Sequence, residues 1–238
     1  GEIMVVGIMQ PYFLPYLGYW QLINAVDKFV IYDDVNYIKG GWINRNRYLY
    51  NSEAKVFNII MKNSSSFKKI NEIELMGGDG KYDPMRKLYM TFEMAYKKAP
   101  YFTEVSGLLE EILNHKENNL SKFIEYSIRK ISDYLDIDTE IIVSSDIVKD
   151  EELVREQRVM DICKRLGGTK YINPIGGKEL YDKDEFAKNG LELDFIKMDE
   201  IVYKQFSDEF VPGLSILDVL MFNSRDKVKE FLELYSLE

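Results

Sequence analysis

A chain of 238 residues has room for one large domain with a substantial core, at roughly 100 to 200 residues per domain. It is 46% hydrophobic and 30% charged, and no apolar run approaches the roughly 20 residues of a membrane span. A single cysteine (Cys163) and a single histidine (His115) exclude a disulfide framework, thiolate metal clusters and two-histidine zinc motifs, and the formal net charge of -9 opposes non-specific binding to long nucleic acid.

Zinc and haem are therefore not expected, whereas Mg²⁺ stays open. Cys163 falls in an apolar helical pattern and is expected in the core; His115 is expected on a helix surface. No charged, apolar, small-residue leader opens the chain, so a cytoplasmic location is expected. Gly1, where an encoded start would carry Met, is set aside as extraneous.

Ile3 to Met9 is a short apolar, β-branched run of the buried-strand kind, broken by Gln10-Pro11. Leu17 to Ala25 carries apolar residues at helical spacing, and Lys28 to Tyr32 is a second strand ending at Asp33-Asp34. Alternation at Tyr48 to Tyr50 and Lys55 to Ile60 predicts further strands or a hairpin, and Asn63 to Ser66 a polar turn. Asp83-Pro84 reads as the cap and first residue of a helix running to Lys98. Helices follow at Glu104 to Asn114 and Asn118 to Leu135, the latter with Leu120, Phe123, Ile124, Ile128 and Ile131 on one stripe.

Thr139 to Ser144 predicts a strand and Glu151 to Leu166 a helix, with Val154, Val159, Ile162 and Leu166 inward and Gly167-Gly168 closing it. Thr169 to Ile172 is a short strand that runs into Asn173-Pro174-Ile175-Gly176-Gly177, followed by a short helix from Lys178 and a strand at Leu191 to Ile196. Ile216 to Phe222 and Lys227 to Leu234 are the last helices, with Ser215 as an N-cap and Asp218 three residues on.

Strands alternating with helices imply an α/β fold with a mostly parallel sheet covered on both faces, Rossmann-like and open to a nucleotidyltransferase-like topology. Residues 1–238 form one domain in this reading, with a helical insertion or lobe at about 84–136. Ligands in such sheets bind beyond the carboxyl ends of the strands. That rule places loops 10–18, 33–47 and 173–178 on one rim.

The first loop offers Gln10, Tyr16, Gly18 and Tyr19 beside two prolines, either as a pocket floor for a phosphate or planar ring, or as a rigid apolar turn. Nucleotidyltransferases of the HxGH class keep two histidines at this position. Here the stretch reads Tyr16-Leu17-Gly18-Tyr19, and a phenol does not supply an imidazolium charge at neutral pH.

The second loop holds Lys39, Arg45 and Arg47 with no acid between Val35 and Tyr50, interleaved with Tyr37, Trp42, Asn44 and Asn46. Guanidinium forks bind phosphate or carboxylate at two points and aromatic faces stack on bases or sugars, so these residues are candidate ligand contacts. Lys39 is also a catalytic candidate. Asp33 or Asp34 stands ready as a general base or Mg²⁺ ligand, or as a turn cap. The third loop offers Asn173, Gly176 and Gly177 as a phosphate cradle, without Walker spacing.

The segment IMQPYFLPYLGYWQLINAVDKFVIYDDVNYIKGGWINRNRYL (Ile8 to Leu49) is similar to the opening signature of the WbqC-like protein family. AYKKAPYF (Ala95 to Phe102), YINPIGGKELY (Tyr171 to Tyr181) and PGLSILDVLMFN (Pro212 to Asn223) resemble its later blocks. The resemblance implies a bacterial cytoplasmic protein encoded among genes for O-antigen, capsule and other surface glycans. It points to modification of an amino sugar by acyl or aminoacyl transfer.

Three functions stay open at this stage. One is a transferase acting on a nucleotide-linked amino sugar, with Lys39, Arg45 and Arg47 on the diphosphate and Asp33 or Asp34 as base. A second is an ATP- and Mg²⁺-dependent nucleotidyltransferase or ligase that activates a small carboxylate. The third is a non-enzymatic scaffold or RNA-end-binding module. The partner expected is a small molecule; sequence leaves the oligomeric state open.

Overall fold

The computed structural model describes residues 1–238. Strand β1 (Val5–Met9), helix α1 (Leu17–Ala25) and strand β2 (Lys28–Ile31) open the chain. A hairpin of β3 (Arg45–Tyr50) and β4 (Glu53–Asn58) follows, then a two-residue pair, β5 (Met61–Lys62) with β6 (Glu74–Leu75). Helices α2 (Pro84–Tyr96), α3 (Phe102–Leu113) and α4 (Leu120–Tyr134) lead to β7 (Glu140–Val143). The chain continues through α5 (Arg155–Arg165), β8 (Lys170–Pro174), α6 (Lys183–Lys188) and β9 (Glu192–Met198). It finishes with α7 (Ile216–Phe222), α8 (Arg225–Phe231) and β10 (Tyr235–Leu237).

Six strands form one sheet in the order β10-β9-β8-β1-β2-β7, all parallel except β10. Counted along the chain within the sheet, this is the 3-2-1-4-5-6 order of a doubly wound fold, with the reversal of direction between β1 and β8. The α/β expectation therefore holds.

Alternation along β2 shows how the sheet is sandwiched. Phe29 and Ile31 face a large core shared with α1, α4, α7 and α8, while Val30 faces a smaller one under α5 and α6. The large core extends without a break into α2 and α3, so the three helices after Pro84 share the packing of the sheet's first face. Gly7 lets α1 lie close on β1, since a Cβ there would stand 3.3 Å from Leu22 and Val26.

The helix starts follow their caps. Asp83 accepts from the N–H groups of Met85 and Arg86, which fixes α2 at Pro84 as the sequence predicts. Two expected helices begin later than their periodicity suggests. Helix α5 starts at Arg155 because Glu151 is drawn out to Arg158 and Lys149 and Asp150 accepts from the Glu152 N–H; Val154, expected inward, is 64% exposed. Helix α6 starts at Lys183, capped by Asp182, because residues 175–177 close a single 3-10 turn instead. His115 is half-buried and stacked on Tyr126 at 3.7 Å, and Cys163 is fully buried.

The glycine pair after α5 works as predicted. Gly167 takes φ +75, and Gly168 packs so tightly that a Cβ would lie 2.8 Å from the Cys163 carbonyl and 2.9 Å from Val6. Gly168→Ala is expected to lower the free energy of unfolding by about 1–3 kcal/mol through overpacking, measured by urea denaturation.

Candidate functional site

Beyond the carboxyl end of β9, where the loop after β1 and the approach to α7 meet it, lies a cavity of about 710 Å³; the third loop, residues 173–178, does not line it. Tyr16 and Leu17 line it from the first loop; Asp199, Glu200 and Tyr203 line it from the segment after β9; Phe210 and Gly213 come from the approach to α7. This volume lies in the range of small-molecule sites, roughly 300–1,000 Å³.

Hydrogen bonds from distant segments shape its rim. Pro15 accepts from the N–H of Ile216 and from Trp20 Nε1, and Leu14 accepts from Ser215 Oγ at 2.7 Å. Leu14 itself is held at φ +47, a conformation unfavourable for a branched residue and characteristic of over-determined sites. Ser215 N–H donates to the Arg47 carbonyl, which brings the second loop to the same place.

Arg47 Nη1 would lie 3.8 Å from a Cβ at Gly213, so its guanidinium sits beside the cavity wall. Arg45 and Arg47 both lie against the Trp42 ring, at 4.9 and 4.8 Å from its centroid. Arg45 is further held by the Gly40 and Gly41 carbonyls. No carboxylate pairs with Lys39, Arg45 or Arg47. Lys39 is exposed at the turn before Gly40 and does not line the cavity.

Several other predicted site residues shape the loops. Tyr37 Oη donates to Asn44 Oδ1 at 2.9 Å, Asn44 Nδ2 donates to the Ile59 carbonyl, and buried Asn46 accepts from the Arg47 N–H. Tyr19 is buried and donates to the Gln10 carbonyl, which places it beneath the first loop. Gly18 lets the Tyr16 ring fold back over the helix start, since a Cβ there would lie 2.3 Å from that ring. Asn173 donates to Tyr171 Oη, and its Oδ1 leaves room only for glycine at 177. No α-helix starts at Gly176-Gly177, so the helix-end field of the expected phosphate cradle is absent there.

The two aspartates are built into the structure. Asp33 accepts from the Ser145 N–H at 2.9 Å and from Ser145 Oγ at 2.5 Å, and from Asn71 Nδ2 at 3.4 Å. Asp34 pairs with Lys149 Nζ at 2.6 Å and Arg158 Nη2 at 3.0 Å. Burial pushes the Asp34 carboxyl up, but the hydrogen bond from Lys149 and the charges of Lys149 and Arg158 outweigh it and hold the group below its ordinary value. No three His, Cys, Asp or Glu side chains gather as a metal-binding group.

Sequence reasoning did not single out Asp199, Glu200, Tyr203 or Phe210. The rule that ligands sit beyond strand ends, applied to β9 as well as to β1, β2 and β8, leads to the first three. Burial pushes the Tyr16 hydroxyl up, and burial together with the Asp218 charge pushes Tyr203 far up, so both remain neutral hydrogen-bonding phenols. Asp218, with no cation near it, accepts from Tyr96, Tyr203 and Gln205 beneath the cavity. It does not close a capping box, although Ser215 does cap α7. Burial outweighs those three donors and raises its carboxyl above 3.8.

The sign of the Asp34 contribution follows from its lowered value. Its stabilisation is present above the unfolded value of 3.8 and is lost as pH falls through the lower folded value. Asp34→Asn leaves buried Lys149 and Arg158 with only the exposed Glu151 as an ion-pair partner, and is expected to lower the free energy of unfolding at neutral pH by about 3 kcal/mol. The gap to wild type in urea denaturation should shrink as pH drops below 3.8.

Comparison with known proteins supplies the lineage. No solved structure matches the chain at a significant level. "Uncharacterized protein Rv1507c" of Mycobacterium tuberculosis (strain ATCC 25618 / H37Rv) is 30% identical over 232 residues, covering 95% of this chain and 96% of that protein. The WbqC-like protein family matches residues 10–230, which take in the first loop, the Arg–Trp loop and the approach to α7. On that match the chain belongs to the WbqC-like protein family.

Proposed function

We propose that this protein is a transferase that binds a nucleotide-linked amino sugar in the cavity beyond β1 and β9 and places an acyl or aminoacyl group on the sugar nitrogen. The observation that carries this reading is the junction at Gly213, where a cavity of about 710 Å³ meets a guanidinium without a carboxylate partner. Arg47, backed by Trp42 and Arg45, is suited to a diphosphate. Tyr16, Tyr203 and Phe210 offer ring faces and hydroxyls to a base or sugar.

The amine is the nucleophile in this reading. Asp199 or Glu200 accepts its proton as the new N–C bond forms and the leaving group of the acyl donor departs. Asp33 and Asp34, tied to Ser145 and to Lys149 with Arg158, keep the strand ends in place.

A thermal-shift panel tests the proposal, using UDP-, dTDP- and GDP-linked amino sugars and ATP, each with and without Mg²⁺. One nucleotide-sugar is expected to stabilise the wild type, by about 2.7 kcal/mol at a hundredfold excess over its Kd, and to lose that effect in Arg47→Ala. Asp199→Asn combined with Glu200→Gln should keep binding and lose turnover. Stabilisation by ATP alone would replace this reading with carboxylate activation, and no shift from any compound would favour a scaffold.

A further inference from the structure

A second surface, sharing no lining residue with the cavity, runs along the outer flank of α2 where the β3–β4 hairpin packs beside it. Three adjoining concavities of about 350, 490 and 370 Å³ lie there. The first two share Tyr48, Tyr82, Lys87 and Thr91, and the second and third share Tyr50 and Met94. Together they form one furrow from the start of α2 to Lys98.

Along α2 the furrow carries cations beside the helix start and beside the helix end with apolar side chains between them, and the first concavity adds an apolar wall from Val56, Ile59 and Ile60. Met90 and Met94 stand 54% and 66% exposed opposite Tyr48 and Tyr50. Methionine is the pliant apolar side chain that adapts to varied partners. Lys81, Arg86 and Lys87 stand beside the start of α2 and Lys97 and Lys98 just past its end. None of the five is ion-paired, in a chain with 40 acidic against 31 basic residues. The acids at the first end, Asp79 and Asp83, are turned onto backbone N–H groups, and Glu93 is the one acid within α2.

We infer that this furrow binds a short acidic peptide segment of a partner protein in extended conformation, carboxylates at both ends and apolar side chains between. Length supports it: the 13 residues of α2 span about 20 Å at 1.5 Å each, the reach of about six extended residues. Charge supports it as well. A few carboxylates gain from five free cations, whereas a long polyanion would meet the field of the whole -9 molecule. The apolar groups line a concave wall, which a peptide fills and a flat lipid surface does not.

The test is selection of a random seven-residue peptide display library on the full-length protein, followed by fluorescence polarisation with labelled synthetic copies of the enriched sequences. Lys97→Glu/Lys98→Glu and Met90→Ser/Met94→Ser serve as variants, with circular dichroism to check folding. Enriched sequences should carry Asp or Glu at both ends and Leu, Met or Phe between them. Their affinity should fall about tenfold or more in the charge-reversed variant, as for loss of close charge contacts. Enrichment of sequences without acids, no enrichment above an unrelated protein, or affinity unchanged in Lys97→Glu/Lys98→Glu would overturn the inference. Displacement of the peptides only by polyuridylate, or saturable binding to phosphatidylglycerol vesicles with no peptide enriched, would reassign the surface to nucleic acid or membrane.

Discussion

Strands β2 and β7 lie side by side in the sheet, yet Asp33 and Ser145, the residues that fasten their ends together, are 112 positions apart in sequence. Everything between them leaves the sheet and must be returned to it. Asp33 grips Ser145 through both oxygens, and Asp34 next to it holds Lys149 and Arg158 in a buried ion cluster. A parallel strand gains no hairpin turn to set its register, so this side-chain clasp supplies what the covalent connection does not. The hairpin, the helices α2 to α4 and the rim they support all hang from that junction.

From the clasp the same economy extends to the candidate site. The four segments that carry the family resemblance are distant in sequence and meet in space. The Leu49 N–H donates to Tyr96 Oη, Tyr96 Oη donates to Asp218, Ser215 Oγ donates to Leu14, and Tyr171 Oη reaches the Ile8 carbonyl. Two of these segments, Ile8 to Leu49 and Pro212 to Asn223, also line the cavity. A rim fixed by hydrogen bonds, with Leu14 held at a positive φ, presents its groups in one arrangement before any ligand arrives.

Much of this was legible in the order of residues. The apolar runs at Ile3 to Met9 and Lys28 to Tyr32 gave strands that the fold trims to Val5–Met9 and Lys28–Ile31, the Asp83-Pro84 cap gave α2, and Ile216–Phe222 gave α7. The α5 boundary was not legible, because Glu151 leaves the helix for partners that only the fold brings near. Strand β10 was hidden for a related reason: its three residues carry no period, and their register comes from β9. At the site, the cations and Trp42 stood out because acids are missing around them. Asp33 and Asp34 stood out as strongly, but sequence does not reveal that Ser145, Lys149 and Arg158 wait opposite. Asp199 and Glu200 sat in an unremarkable charged stretch, and only the cavity separates them from other surface acids.

The excursion between β2 and β7 also bears on how the protein is made. Closing a longer loop adds only about 0.6 kcal/mol per doubling, so the detour changes equilibrium stability little. Its effect falls on time. β1 pairs with β2 early, from residues close in sequence, but its other edge must wait for β8, whose Lys170 aligns with Val5. While the intervening segment emerges from the ribosome, the apolar pair stands with both flanks unpaired, an open template for strands of other chains. The stretch of synthesis between β2 and β8 is therefore the interval over which this sheet is most open to pairing with another chain.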